Sequence, residues 1–532
     1  MSGKGDSKND INKIPKLTKT IFSINNILSI IKNYLTFEDK KSFFSCNKYL
    51  NEYFRNSINK ISSKKLISNP DIIKRYKNIK EIKFDFGWKS DLIFLKEANN
   101  LEILDISGTK YKNLETIGEL ENITKLVLIG NNIRDINFIG NLKKLNHLDI
   151  GNNLINDLNP LLNLNNLISL SLQGCGIDNL NILNFPVFRK LEKLYIGQNI
   201  IYDFSFLNNL QNLKVLNLYQ MPNLKNLYFL NYLNEDELNE LNLGENNIIN
   251  FTSLYKFKHL TKLMLYRCGL NDINFLTNSS FENIDEIILG NNKITDFSLL
   301  NNLTKLKKLN LYNCNIRDID FLKNEKFYDI EYLELSNNKI SECSFISFYT
   351  KLKYLSLSNN LLSGNINWII TCSELEELNL SKNHINDFTY LKKLKKIKKL
   401  NISQCSDFNT QIDISFLSED IFKNLIELNI NTNNINDISA LKHLTKLEKL
   451  NISHNCIKSL SFLSNENSCL IELNIYNNEI EDFSILKSLL KLEVIYYGSQ
   501  RVELSPEMNK INSDIIKELE KNLRKCINKN KK

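Results

Sequence analysis

The residues able to do chemistry in this sequence are few and unusually placed. Of ten cysteines in 532 residues, Cys175, Cys268, Cys314 and Cys405 follow an L-x-L or L-x-I run at one fixed offset. A thiol recurring at one position reads either as a metal or redox ladder or as a small side chain buried at a repeated place. Burial is the preferred reading, because free cysteine is among the most buried residue types. The equivalent cysteines also fall at least two strands apart, about 10 Å at ordinary strand spacing, which a disulfide cannot bridge. There is no C-x-x-C pair or zinc spacing. The histidines His147, His259, His384, His443 and His454 form no H-x-x-x-H or H-E-x-x-H pattern. No G-x-x-x-x-G-K-[ST] loop and no G-x-S-x-G elbow occurs. No catalytic, cofactor-binding or metal-binding residue is therefore assigned, and the chain is not expected to be an enzyme.

The elements that must carry these residues are repeats. The template L-x-x-L-x-L-x-x-N-x-L fits ITKLVLIGNNI (123–133), LNHLDIGNNLI (145–155), LNELNLGENNI (238–248), IDEIILGNNKI (284–294), LEELNLSKNHI (375–385) and LIELNIYNNEI (470–480), among others. The Asn slot can be followed from Asn131 to Asn478, with Cys or Met221 replacing Asn in some units. A weaker unit has Thr109 in the slot, and degenerate units lie near Gly87 and Gln500. About seventeen good repeats result. In L-x-L, residues of one parity point inward and the middle one outward, so each repeat gives one short strand. The slot Asn turns inward to satisfy backbone groups that would otherwise be buried without partners. The second half of each unit, as in IRDINFIGNL, is too short for a long helix and reads as an extended or 3₁₀ side. Slot spacing alternates between 22 and about 23–25 residues, as if a two-repeat block had been duplicated.

This pattern resembles the 22-residue class of leucine-rich repeats found in phosphatase-regulator and internalin-type arrays. The fold the resemblance implies is an α/β solenoid: a curved horseshoe with a parallel inner sheet and a 3₁₀ or extended convex side, over residues 79–503.

Two columns of outward residues follow. The residue before the second Leu runs Lys193, Val215, Glu240, Lys262, Glu286, Lys308 and, after Tyr332 and Tyr354, Glu377, Lys399, Glu427, Lys449, Glu472. Alternating signs on adjacent strands suit cross-strand pairing, worth about 0.2–1 kcal/mol per pair; this column reads as structural. The position after L-x-L runs Gly197, Tyr219, Gly244, Tyr266, Gly290, Tyr312, with Tyr195, Met264 and Ile288 in the middle column and Arg267 adjacent. Tyrosine and arginine are favoured binding anchors. The set Tyr195, Tyr219, Met264, Tyr266, Arg267, Ile288 and Tyr312 is thus the candidate partner-binding face; equally, a duplicated block could simply have copied its tyrosine.

Charge constrains the partners. The net charge is +8, but residues 1–80 carry +11, residues 501–532 carry +4, and the middle is mildly acidic at −7. A uniform basic stripe, the usual nucleic-acid footprint, is absent from the array. The N-terminal MSGKGDSKNDINKIPKLTK lacks the apolar core of a secretory signal, and no run of eighteen apolar residues occurs. An intracellular monomer with reduced cysteines, bound to neither membrane nor nucleic acid, is expected.

Residues 19–60 break the repeat. Ile24, Ile27, Leu28, Ile31 and Leu35 recur at helical spacing, and after Phe37-Glu38-Asp39 a second apolar face runs through Phe43, Phe44, Cys46, Tyr49, Leu50 and Phe54. One reading is a helical cap over the open end of the array. The segment also resembles an F-box: Ile27-Leu28, Ile31 and Tyr34-Leu35 match its first helix and Asp39 the acid before its second. It departs where the L-P start is Phe22-Ser23, Lys40 follows Asp39, and Tyr49 stands for the usual Trp. That resemblance implies docking on a Skp-type adaptor through Ile27, Leu28, Ile31, Leu35 and Phe43. The chain would then be the substrate-recognition subunit of a cullin–RING ubiquitin ligase, its repeats holding an unidentified protein substrate; the alternative is a free-standing scaffold similar to phosphatase-regulator arrays. The expected domains are a flexible basic tail (1–18), the F-box-like segment (19–60), a linker or cap (61–78), the array (79–503) and a capping helix with a basic tail (504–532). Within the last, Ser513 is read as an N-cap and Ile516, Leu519, Leu523 and Ile527 as one helical face.

Overall fold

The structure is a computed structural model that describes residues 60–62, 78–84, 91–108, 111–406, 410–463, 469–498, 500, 506–522 and 525–528. Thr109, Gly87 and all of the F-box-like segment before Lys60 lie outside these. The chain divides into two compact units: residues 1–177 with 181–191, and residues 178–180 with 192–532.

In the first unit the strands Lys60–Ser62, Glu81–Lys83, Ile103–Asp105, Lys125–Val127, His147–Asp149 and Ser169–Ser171 pair in parallel, each with the next. Among the described residues the sheet begins at Lys60–Ser62, across the expected boundary between the N-terminal segment and the linker. The central residue of each triplet from Ile82 onward is buried; Leu104, Leu126 and Leu170 are fully so. Burying one such side chain stabilises by about 1.5–3 kcal/mol, and stacking repeats is what makes the burial possible. The returning halves are 3₁₀ turns, including Ile93–Glu97, Leu114–Glu119, Asn137–Asn141 and Asn159–Asn163. An aspartate two residues ahead fixes the start of several: the Asn137 and Asn159 amides donate to Asp135 and Asp157 at 2.8 and 2.9 Å.

The second unit continues the same plan. Its parallel strands run from Lys193–Tyr195 to Val494–Tyr497, with one repeat's triplet in register with the next. On the 3₁₀ side phenylalanines of successive repeats stack, with centroids 4.2 Å apart for Phe204–Phe229 and 4.6 Å for Phe251–Phe275.

The C-terminal expectation needs correction. The helix spans Pro506–Asn522, so Ser513 is inside it and caps nothing; proline, whose φ is preset and whose missing N–H costs nothing there, opens it. Ile515, Ile516 and Leu519 are its buried apolar residues. Asn512 ties it to the last repeat, accepting from the Phe483 amide (3.1 Å) and donating to the Glu481 carbonyl (2.9 Å). Ile527 is not on the helix: it belongs to the strand Lys525–Asn528, which pairs with Val494–Tyr497 and extends the sheet past residue 503. Leu523 lies outside the described residues. Among the described residues no helix is long and apolar enough to cross a membrane.

Candidate functional site

The slot residues fix the scaffold under the strand face. Asn153 is typical: its Oδ1 accepts from the Asn131 and Ile133 amides (3.0 and 2.9 Å), and its Nδ2 donates to the carbonyls of Leu128, Ile150 and Gly151 (2.9, 2.8 and 3.2 Å). A cysteine in the slot offers only a thiol donor. Cys175, Cys268, Cys314 and Cys405 donate to the carbonyls of Ile150, Leu243, Leu289 and Leu380 at 3.2–3.4 Å. Burial pushes the thiols of Cys175 and Cys268 up to about 11 and that of Cys405 up to about 12. These sulfurs are protonated donors inside the wall, without the thiolate that a nucleophile or metal ligand requires. Gln500, in a degenerate unit, fills the same role: its Oε1 accepts from the Ile480 amide and its Nε2 donates to the Ile475 carbonyl, each at 3.1 Å.

Outward from this wall, the charged column forms a chain of cross-strand pairs. Lys262 reaches Glu240 at 3.6 Å and Glu286 at 3.0 Å, and Lys308 reaches Glu286 at 3.2 Å. Further on, Lys399 meets Glu377 at 2.7 Å and Lys449 meets Glu427 at 3.1 Å. The hydrogen bonds they donate to those glutamates hold Lys399 and Lys449 above the usual lysine range. Partly exposed pairs of this kind contribute only about 0–1 kcal/mol each.

The tyrosine column is placed where the sequence predicts, with one difference in meaning. The rings of Tyr219 and Tyr266 lie against Gly244 and Gly290, and a Cβ on those glycines would sit 3.2 and 3.3 Å from the ring Cδ2 atoms. The glycines are buried and the tyrosines half-buried. Tyr219 is pushed up to about 12, first by burial and then by its hydrogen bond to Glu245. Arg267, the predicted anchor beside it, is exposed and lies 3.7 Å from Glu245. It also holds a left-handed backbone, φ 53°. Every slot in this stretch is preceded by such a residue, including Gln198, Gln220, Glu245, Asn291 and Asn313.

The face is less continuous than the sequence suggests. Met264 and Ile288 are adjacent in register and half-buried. Tyr195 is separated from them by the strands carrying Asn217 and Asn242, about 14 Å at ordinary spacing. Next to Ile288 a recess of about 270 Å³ is lined by Glu286, Ile287, Ile288, Lys308, Asn310 and Tyr332. Ile27, Leu28, Ile31, Leu35 and Phe43 lie outside the described residues.

Sequence reasoning passed over one cluster. Tyr332 and Tyr354 stack in parallel, centroids 4.1 Å apart at 8°. Tyr354 donates its hydroxyl to Glu334 Oε2 at 2.9 Å, while the Ser336 amide donates to Oε1 at 2.8 Å. Burial and the Glu334 charge push Tyr354 far above the usual phenol range. Glu334 is only 9% exposed. The signal was available: from Asn310 to Asn474 it is the one charged residue of the middle column, which otherwise holds Asn310, Ser356, Asn379, Asn401, Asn429, Asn451 and Asn474 there.

Comparison with known proteins agrees with this geometry. The family model described as leucine-rich repeats in two copies matches residues 282–324, 423–465 and 445–488. No curated protein matches the chain. Among solved structures, an internalin of Listeria monocytogenes is 26% identical over 71% of this chain and 87% of its own, with a TM-score of 0.34. A TLR13 complex with single-stranded RNA is 20% identical over 81% of this chain and 68% of its own, with a TM-score of 0.55. A leucine-rich-repeat protein of Leptospira interrogans is 19% identical over 86% of this chain and 97% of its own, with a TM-score of 0.35. The matched repeats, the strand register and the slot hydrogen bonds make this chain a solenoid of leucine-rich repeats.

Proposed function

We propose that the chain is a protein-interaction scaffold that holds a partner protein on the strand face of its second unit. The contact set is Tyr219, Met264, Tyr266, Arg267, Ile288 and Tyr312, with Tyr195 to one side. One observation carries the reading. The inward columns already fill the core with Leu and Ile, yet the outward columns over these strands hold tyrosines, Met264 and Ile288, half-buried and half in solvent. An amphipathic aromatic surface of this composition is what protein interfaces favour at their centre.

Within that reading, residues 19–60 dock a Skp-type adaptor, and the chain serves as the substrate-recognition subunit of a cullin–RING ligase inside the cell. The F-box-like spacing of Ile27, Leu28, Ile31, Leu35 and Phe43 supports this, as does its position ahead of a repeat array. The test is capture of the full chain by purified Skp-type adaptor, compared with Ile31→Asp and Leu35→Asp. Capture that both changes abolish, in variants with unchanged thermal unfolding of the array, supports the ligase role. No capture of folded wild-type chain overturns it and leaves a free-standing repeat scaffold.

A further inference from the structure

Beyond the tyrosines, the strand face of the second unit forms a groove of about 360 Å³ that begins at Tyr354 and runs across the strands as far as Glu472 and Asn474. Its floor is a row of asparagines, Asn379, Asn401, Asn429, Asn451 and Asn474, each in register with the next. Every one is oriented the same way. The Oδ1 atoms accept from the backbone amide two residues on, at Ser381, Ser403, Asn431, Ser453 and Tyr476, at 3.1–3.2 Å. An amide whose oxygen is fixed against the backbone must turn its NH₂ away from that amide, toward the groove. No acceptor among the described residues takes these NH₂ groups. The floor is therefore a line of aligned donors with one strand spacing between them.

The groove has a preferred charge as well. Glu334, nine-tenths buried at its Tyr354 end, has two hydrogen bonds and no cation among the described residues. Along the wall, Glu377, Glu427 and Glu472 outnumber Lys399 and Lys449. A polyanion such as RNA meets excess negative charge here. A peptide main chain offers the acceptors that the floor lacks. Two strand spacings measure about 9.6 Å and three residues of a polyproline-II segment about 9.3 Å, so one carbonyl in three meets every second asparagine with a drift of only about 0.3 Å per step. Stacked tyrosines at the end of such a groove suit this conformation and offer a ring face to a cation.

We infer that this groove binds an extended, polyproline-II-like peptide segment of a partner protein, its carbonyls on the asparagine row and one Arg or Lys side chain over Tyr354 beside Glu334. The inference rests on the scaffold reading and adds a second contact region with its own ligand chemistry.

The test uses the full chain and a library of random dodecapeptides, with selected peptides remade and their affinities measured. Asn401→Asp with Asn429→Asp is the informative variant. Asp149 accepts from the Gly151 amide at the equivalent position, so the substitution keeps the backbone bond while replacing a donor by an acceptor. Glu334→Gln removes the charge and keeps the shape. The expected result is a peptide with one essential Arg or Lys, weakened about tenfold per lost hydrogen bond by the double Asp variant and by Glu334→Gln. Peptides that bind both variants as well as wild type, but lose affinity to Met264→Ser with Tyr266→Ser, overturn the groove and leave the scaffold reading standing. A library that yields no binder also overturns the groove, while adaptor capture still tests the scaffold separately.

Discussion

The ring of Tyr219 rests on the α-carbon of Gly244, so close that an alanine Cβ there would stand 3.2 Å from the ring. The alternation of tyrosine and glycine is therefore a seat and its occupant, repeated at Tyr266 and Gly290. A tyrosine held in this way reaches a partner with little conformational freedom left to lose, the property that makes a side chain an efficient anchor.

Substituting the glycines of this column separates two effects. In Gly197→Ala the Cβ would collide with the Tyr219 backbone oxygen and lie 2.8 Å from its nitrogen, and backbone cannot step aside. A loss of about 1–3 kcal/mol is expected, measured by urea unfolding. Gly244→Ala meets mainly a ring and a side-chain amide, so a smaller loss is expected, with altered Tyr219 exposure seen by solvent perturbation of its absorbance.

The slots predict an unequal pair. Asn153→Ala strips the partners from several buried backbone groups at once, each worth roughly 1–3 kcal/mol. Cys175→Ala removes one weak thiol donor and should cost about 1 kcal/mol or less. Hydrogen exchange should quicken at the Asn131 and Ile133 amides in the first variant and stay near wild type there in the second.

Thiol chemistry gives an independent check. At pH 7.5 an alkylating reagent should spare Cys175, Cys268, Cys314, Cys372 and Cys405, which are buried and whose thiols burial pushes up. Cys456 and Cys469 are partly exposed and should be modified first, as peptide mapping would record. Rapid native-state labelling of Cys268 would contradict the buried-donor role.

Asp149 predicts a pH dependence. Burial raises its pKa above the ordinary 3.8, so the fold favours the protonated acid. Its stabilising contribution is complete below the unfolded pKa and is lost as pH rises through the higher folded value. Asn217 and Asn242 make the same bond to the amide two residues on without charge, at 2.9 and 3.0 Å. Asp149→Asn should therefore raise the thermal midpoint at pH 7 and change it little at pH 3.

Much of this was readable from residue types because the repeat multiplies each signal. The L-x-L triplets, slot asparagines and opposed charges of Lys262 and Glu286 each recur often enough to be recognised, and each has a period set by backbone geometry. What escaped was set by contact alone. That the Tyr219 ring covers Gly244 depends on a rotamer. Left-handed backbone before the slot is taken by Gln198, Arg267, Lys382, Thr432 and His454 alike, so no residue type marks it. Glu334 carries a signal only against its neighbours in the column, and Ser513, a residue type that suits a cap, falls inside a helix that Pro506 opens.

The alternation of Glu240, Lys262, Glu286 and Lys308 along neighbouring strands has a consequence for how such an array can change length. Excising the single repeat that bears Lys262 would set Glu240 beside Glu286, like against like, and set Gly244 beside Gly290, which would lose the Tyr266 ring that covers it. Excising two repeats restores both the opposed charges and the ring-on-glycine contact. The stretch from Glu240 to Tyr312 therefore has a parity: it tolerates growth or shortening in even steps and resists odd ones.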